Sequence, residues 1–373
     1  MKLPYPIYCP KWGELAALDW EIEPVTSDLD EVMRSDFKIA ALPVRCNVRN
    51  DFSYKPEIEQ LDLSMFDLVI LTDIEYRPLE WIKPWIEQNG IRDYVLALGG
   101  LHRNETIDES CMVYRPWWSY NVLNFNEIIN TDRPNKPYDF DVLLGARRPH
   151  RDYVMLSFQQ SGLIDNSIVT YREIFTGGVM DQWTQKVYDC FPDTKLKYPY
   201  ISPNLDPDWE IQRKNPDETR KCLLKEGTTP YMLKNISPYM PYEMYKRTNY
   251  TVVCETLGTA DAFFLSEKTA KPLLAQRVFV MFGAVNFLKN LRNLGFETFG
   301  KVINEQYDSV EDHVTRFGHA FEQCQWLAKQ DPIEIYNQVQ KELEHNCNLA
   351  QTLKHKTLKQ MHDLLRTKIP NLD

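Results

Sequence analysis

The sequence predicts an α/β protein made of two domains, each a parallel sheet flanked by helices. Three observations predict it: apolar runs of strand length that end in polar residues, helical patterns between them, and a restart of the alternation near residue 138. A chain of 373 residues, 43% hydrophobic and 26% charged, is long enough for two buried cores. The implied divisions are 1–133, 138–330 with an irregular insertion at about 177–230, and a tail at 331–373.

In the first division, Asp36–Val44 and Phe66–Asp73 read as strands, the second an unbroken apolar run of the kind a parallel strand buries on both faces. A helix follows through Leu79, Ile82, Trp85 and Ile86 and stops at Asn89-Gly90. Tyr94–Leu98 is the next strand, which completes a βαβ unit. Thr131–Pro137 is polar and proline-bearing, as a linker is.

In the second division, Phe140–Gly145 and Ser167–Tyr171 are strands around a helix over Asp152–Ser161 that Gly162 ends. From Gly177 to about Pro230 the chain is rich in Pro, Trp, Tyr and Asp and shows little periodicity. A short helix at Pro241–Tyr245, a strand at Tyr250–Glu255, a helix over Ser266–Ala275, a strand at Arg277–Gly283 and a helix from Asn286 to Leu294 follow. Between Ile333 and Arg366, apolar residues at 335, 339, 343, 350, 353, 361 and 364 mark one face of a single long helix.

The 43 basic residues against 53 acidic ones give a net charge of −10, which argues against attachment to polyanions through the overall field but leaves a local basic groove open. No run approaches the ~20 apolar residues of a membrane span, and Met1–Ile7 has no run of signal-peptide length. Eight dispersed cysteines without C-x-x-C spacing read as reduced thiols. The expectation is therefore a protein of the cytoplasm. No P-loop and no zinc spacing occurs, and the D-x-D triplets at 28/30, 139/141 and 206/208 are expected by chance in so acidic a chain, so no metal is expected.

Chemistry concentrates in Cys254-Glu255-Thr256 and, ten residues on, Phe264-Leu265-Ser266-Glu267-Lys268-Thr269-Ala270-Lys271-Pro272. Ser266 can cap a helix whose first turn carries Glu267 and Lys268. Free amides and the positive dipole end there suit a phosphate, and a carboxylate can accept from two adjacent hydroxyls. An ordinary capped helix with a solvated Glu–Lys pair has the same sequence pattern.

The run from Glu255 through Glu267-Lys268 to Gly283 resembles the nucleotide-sugar-binding C-terminal half of GT-B glycosyltransferases. It is similar to the α1,3-fucosyltransferase-like pattern and nearer to glycosyltransferases of phage and other viral genomes. The likeness to the latter lies around Pro241-Tyr242-Glu243, Ser266–Pro272 and Asn293–Phe299. It covers about residues 138–310. Thr256 stands where the fucosyltransferase pattern has Asn, and Phe264 where it has an aromatic hydroxyl.

The resemblance implies two Rossmann-like domains facing across a cleft, with the C-terminal helix packing back across them. It implies a nucleotide-sugar donor, UDP- or GDP-linked, as co-substrate and no further cofactor. It puts Glu267 on the donor ribose and Lys268 on the diphosphate, with Glu255 and Ser266 in the same motif. Arg147, in Leu144–Arg151, takes the place of the basic group that meets the phosphates, with Arg148, His150 and Arg151 as further candidates; a solvated basic loop, or one salt-bridged to Asp152 and Glu173, has the same pattern. Tyr171, at a strand end, is a candidate to stack on the base. The base that deprotonates the acceptor is expected from the other domain, at strand ends: Asp73, Glu75 or His102, with Asp73 first for an inverting transfer. The acceptor is a glycan or a hydroxymethylated pyrimidine in DNA. Arg45, Arg49, Arg77, Arg103 and Arg115 keep DNA open. A non-catalytic protein that retains the nucleotide-binding shell is the alternative.

Overall fold

A computed structural model of the chain describes residues 1–9, 21–44, 61–73, 79–102, 108–114, 135–171, 183–203, 205, 240–259 and 262–372. The chain divides into two units. One holds Met1–Tyr120, Ala262–Leu265 and Thr352–Asp373; the other holds Asn121–Asp261 and Ser266–Gln351. Both are α/β, and each is built on a sheet whose central strands are parallel.

The first unit contains β1 (Lys2–Tyr8), β2 (Glu23–Thr26), α1 (Leu29–Met33), β3 (Ile39–Val44), β4 (Leu68–Asp73), α2 (Leu79–Gln88), β5 (Tyr94–Leu98), β6 (Leu101–His102) and β7 (Met112–Tyr114). Its main sheet has the order β2-β1-β3-β4-β5-β7, every neighbour parallel. Alternate residues point to opposite faces. Ile39, Ala41, Leu68, Ile70, Val95 and Ala97 share one core, and Ala40, Leu42, Val69, Leu71, Leu96 and Leu98 share another. Burial on both faces explains why these strands read as continuous apolar runs. Asn89 donates through Nδ2 to the carbonyl of Trp85, and Gly90 takes φ +64°, which stops α2 where Asn-Gly predicts it.

The second unit contains β8 (Tyr138–Leu144), α3 (Pro149–Ser161), β9 (Ser167–Tyr171), α4 (Trp183–Asp189), β10 (Tyr200–Ile201), α5 (Tyr242–Arg247), β11 (Thr248–Cys254), β12 (Ala262–Phe263), α6 (Glu267–Leu274), β13 (Phe279–Phe282), α7 (Phe287–Asn293), α8 (His313–Leu327), α9 (Pro332–Gln338) and α10 (Gln340–Lys368), although β12 and the end of α10 belong to the first unit. The sheet order is β10-β9-β8-β11-β13, parallel except for β10 at the edge. Gly162, in the left-handed region at φ +78°, ends α3 as predicted.

The structure departs from the sequence reading in several elements. The expected single helix over 333–366 is two, α9 and α10, because Val339 leaves the helical region at φ −119°. Part of the expected irregular insertion forms α4 and β10; residues 206–239 lie outside the described set. The strands β1, β2, β6, β7 and β12 and the helices α1 and α8 form where the sequence pattern predicts no element. Within the first unit, the end of α10 supplies Leu358, Met361, Leu364, Leu365 and Ile369 to one face of the sheet. No described helix is long and apolar enough to cross a membrane.

Candidate functional site

In a parallel sheet, loops at the carboxyl ends of the strands form the natural binding edge. In the second unit that edge gathers Gly145–Arg148 after β8, Tyr171 ending β9, Glu255 after β11 and Gly283 after β13. It therefore brings Arg147, Arg148, Tyr171, Glu255, Ser266, Glu267 and Lys268 to one end of one sheet. Most of them are already engaged.

Glu255 is fully buried. Its carboxylate accepts from the backbone N–H groups of Thr256 (2.9 Å) and Ser266 (3.2 Å) and from the hydroxyls of Ser266 (2.6 Å) and Thr269. Two oxygens with four donors leave little for a ligand. Glu255 works as a pin that fastens the start of α6 to the end of β11. Ser266 caps α6 as expected, its Oγ accepting from the N–H of Lys268 at 3.3 Å, and its carbonyl accepts from the N–H groups of Thr269 and Ala270. The amides at 268–270 are thus not the open phosphate cradle that the capped-helix pattern suggests.

Glu267 differs. It is 4% exposed, and its Oε1 accepts from Lys268 Nζ at 2.8 Å. Oε2 is buried without a hydrogen-bond partner among the described residues. Burial pushes this carboxyl up, but Lys268 and Lys271 outweigh it and hold it below its ordinary value. Lys268 reaches Thr256 Oγ1 at 3.1 Å and stays one-quarter exposed.

The first turn of α3 brings two buried basic residues to the same edge of the sheet. His150 donates from Nε2 to the carbonyl of Glu255 at 2.7 Å, and its ring fills the space beside Gly258, where a Cβ would come within 2.4 Å of it. Burial, with Arg151 next to it, holds the imidazole well below its ordinary 6.5, so it is neutral. Arg151 donates to the carbonyl of Ala146 at 2.7 Å, and Glu267 is among the groups that act on its charge. Arg148, partly buried, precedes α3 without capping it through its side chain.

Arg147 is salt-bridged to Asp152, the structural alternative to a phosphate contact, in a cluster whose tyrosines the sequence did not announce. Its NH2 meets Asp152 Oδ2 at 2.6 Å and the hydroxyl of Tyr188, while Tyr188 and Tyr171 both donate to the buried Asp152 carboxylate. The bond to Asp152 is the main reason that the Arg147 guanidinium holds its proton more tightly than usual. Burial, then the Asp152 charge, push the Tyr171 hydroxyl well above its ordinary value. Tyr171 is itself fully buried, so the expected base-stacking face is instead packed edge-on against Tyr198. Asp152 carried a weak signal, an acid five residues after Arg147; Tyr188 carried none, because the insertion shows no periodicity.

In the first unit, Asp73 ends β4, its backbone in register with Leu98 of β5. His102 ends β6 opposite Ala262 of β12. The side chains of both, and Glu75 entirely, lie outside the described residues, as do Arg45, Arg49, Arg77, Arg103 and Arg115. The D-x-D residues that are described have local roles: Asp28 caps α1, Asp139 accepts from Asn166, and Asp141 is paired with Arg277.

Comparison with family models, with curated proteins and with solved structures finds no match for this chain.

Proposed function

We propose that this protein is a glycosyltransferase of GT-B type, which moves a sugar from a UDP- or GDP-linked donor to an acceptor hydroxyl. The observation that carries the reading is the half-satisfied carboxylate of Glu267. A buried carboxylate oxygen without a donor costs about 1–3 kcal/mol, and a ligand hydroxyl at the binding edge of the sheet would remove that cost. The resemblance assigns that hydroxyl to the donor ribose. Lys268, bonded to the Glu267 carboxylate, and the cations Arg148 and Arg151 of the loop and helix after β8 suit the diphosphate, on which negative charge builds as the glycosidic bond breaks. The acceptor hydroxyl loses its proton to Asp73, Glu75 or His102.

The acceptor is a glycan or a hydroxymethylated pyrimidine of DNA, the latter on the viral resemblance alone. Saturation of Glu255 and engagement of Arg147 favour a second reading, a shell that binds nucleotide sugars without turning them over.

Thermal-shift titration with UDP- and GDP-sugars tests the donor reading. Selective binding raises the melting temperature by mass action, and Glu267→Ala removes the rise. No shift with any nucleotide sugar would refute it. Donor hydrolysis, and transfer to glycans or hydroxymethylated DNA, distinguish the enzyme from the shell.

A further inference from the structure

The loops that follow β11 and β13 are joined by one buried side chain. Arg316, in the first turn of α8 and 2% exposed, donates from NH2 to the carbonyl of Gly258 (3.2 Å) and from Nε to the carbonyl of Gly283 (3.3 Å), while NH1 holds the carbonyl of Val310 at 2.6 Å. Gly258 lies in the loop that begins at Glu255 and Thr256, and these two residues bond to Ser266 and Lys268. Arg316 therefore ties the loop that supports Lys268 to the neighbouring strand. Another partner aims it. NH2 also meets His313 Nδ1 at 2.6 Å, and His313 is 7% exposed. A guanidinium has only hydrogens to give, so Nδ1 presents its lone pair and the imidazole is neutral.

The surroundings of the ring favour that state. On α8, Arg316 itself and the positive end of the helix oppose a proton there. From α4, Lys186 lies over the Trp183 ring, which meets His313 edge-on. Asp312 would favour the proton, but its Oδ1 already accepts from the N–H and the hydroxyl of Thr315. The segment 305–311 brings Asp308, on whose carboxyl Arg316 acts, and Glu311, whose carbonyl accepts from Arg316. From α3, His150 and Tyr153 meet Phe317, whose ring is 6.4 Å from that of His313.

We propose that Arg316 is a positioning residue of the nucleotide-sugar site and that His313 switches it. In acid the imidazole takes a proton on Nδ1, two cations then face each other at hydrogen-bond distance, and Arg316 lets go of Gly258 and Gly283. The loop that carries Glu255 and Thr256 loses its tie to β13, and the hold on Ser266 and Lys268 loosens with it. Proton and donor therefore weaken each other's binding. The inference rests on the donor reading above and adds to it a control by pH.

Calorimetric titration of the full chain with UDP-glucose and with GDP-mannose from about pH 8 to about pH 5 tests it, since neither sugar nucleotide changes charge in that range. Affinity for the preferred one should fall about tenfold towards the acid end. His313→Asn, whose Oδ1 stands in for Nδ1 and takes no proton, should keep it level. Arg316→Lys keeps the charge without the fork and should bind at neutral pH as weakly as the wild type binds in acid. Trp183 supplies a readout that needs no nucleotide. Its ring centre lies 4.3 Å from that of His313, and a protonated imidazole quenches an indole at that range. The emission of the wild type less that of Trp183→Phe should therefore step down in acid, and bound donor should move the step to lower pH. That shift, read in the wild type, decides the matter if His313→Asn does not fold. No step, a step that donor leaves in place, or a fall in affinity that persists in His313→Asn overturns the switch and leaves the donor reading standing. Wild-type protein that shows the step yet binds neither sugar nucleotide overturns the donor reading itself.

Discussion

Two of the ionic centres in the second unit invite comparison, those of Arg277 and of Glu267. Towards the starts of β11 and β13, Arg277 and Asp141 meet at 2.7 Å, both 1% exposed. Every part of the Arg277 guanidinium is used: Nε on Thr251 Oγ1, NH1 on the carbonyl of Tyr245, NH2 on Asp141, Thr248 and the carbonyl of Tyr250. At the other end of the strands, Glu267 keeps a buried oxygen without a donor, and Lys268 and Arg147 remain a quarter or so exposed. A saturated centre is complete without a ligand and serves the fold. An unsaturated one leaves a cost in the folded chain that a bound group with a hydrogen to donate would offset.

The largest expected effect is at the saturated centre. Arg277→Ala strands the buried Asp141 carboxylate and should cost about 3–5 kcal/mol, read as a lower denaturation midpoint; a loss under 1 kcal/mol would break the contrast. Next comes Gly258→Ala, which drives a Cβ into the His150 ring and should cost about 1–3 kcal/mol. A neutral result there would mean that the loop after β11 yields more easily than its packing implies.

Acid should act through His150. Its folded value is depressed, so in mildly acidic solution the unfolded chain binds a proton that the folded chain refuses. Stability contributed by the neutral ring is present above the unfolded value near 6.5 and is lost as pH falls through the folded value. His150→Gln should flatten that part of a plot of melting temperature against pH, and an unaltered slope would assign it elsewhere. The smallest effect on stability is expected at the unsaturated centre: Glu267→Ala should shift stability by about 1 kcal/mol or less while nucleotide-sugar binding disappears. A large loss of stability there would make Glu267 a structural residue like Asp141.

Much of the architecture is legible along the chain. Strands β4, β5, β8, β9, β11 and β13 announce themselves because burial on both faces demands unbroken apolar runs, and Gly162, Asn89-Gly90 and Ser266 mark their helix ends through local backbone chemistry. The helix α8 was legible too, with Phe317, Ala320, Cys324 and Leu327 at helical spacing and buried, but it was not read. β1 was harder, since Pro4 and Pro6 interrupt its pattern and its burial alternates irregularly. At the site, the motif at 255–268 and the basic loop at 147–151 could be seen, while their division of labour could not. Whether Glu255 or Glu267 has a free oxygen depends on which donors reach each one.

Local order, then, follows from neighbours in the chain: periodicity, caps and turns act over a few residues, and the alternation of strands and helices needs nothing more. Partnership does not. Arg277 and Asp141 lie 136 residues apart, the Glu255 carboxylate is filled by groups up to 14 residues away, and Tyr188 reaches Asp152 across 36. Folding alone decides which ionisable groups are satisfied and which are left open, because hydrogen bonds and charge pairs act over a few ångströms of space and take no account of separation along the chain.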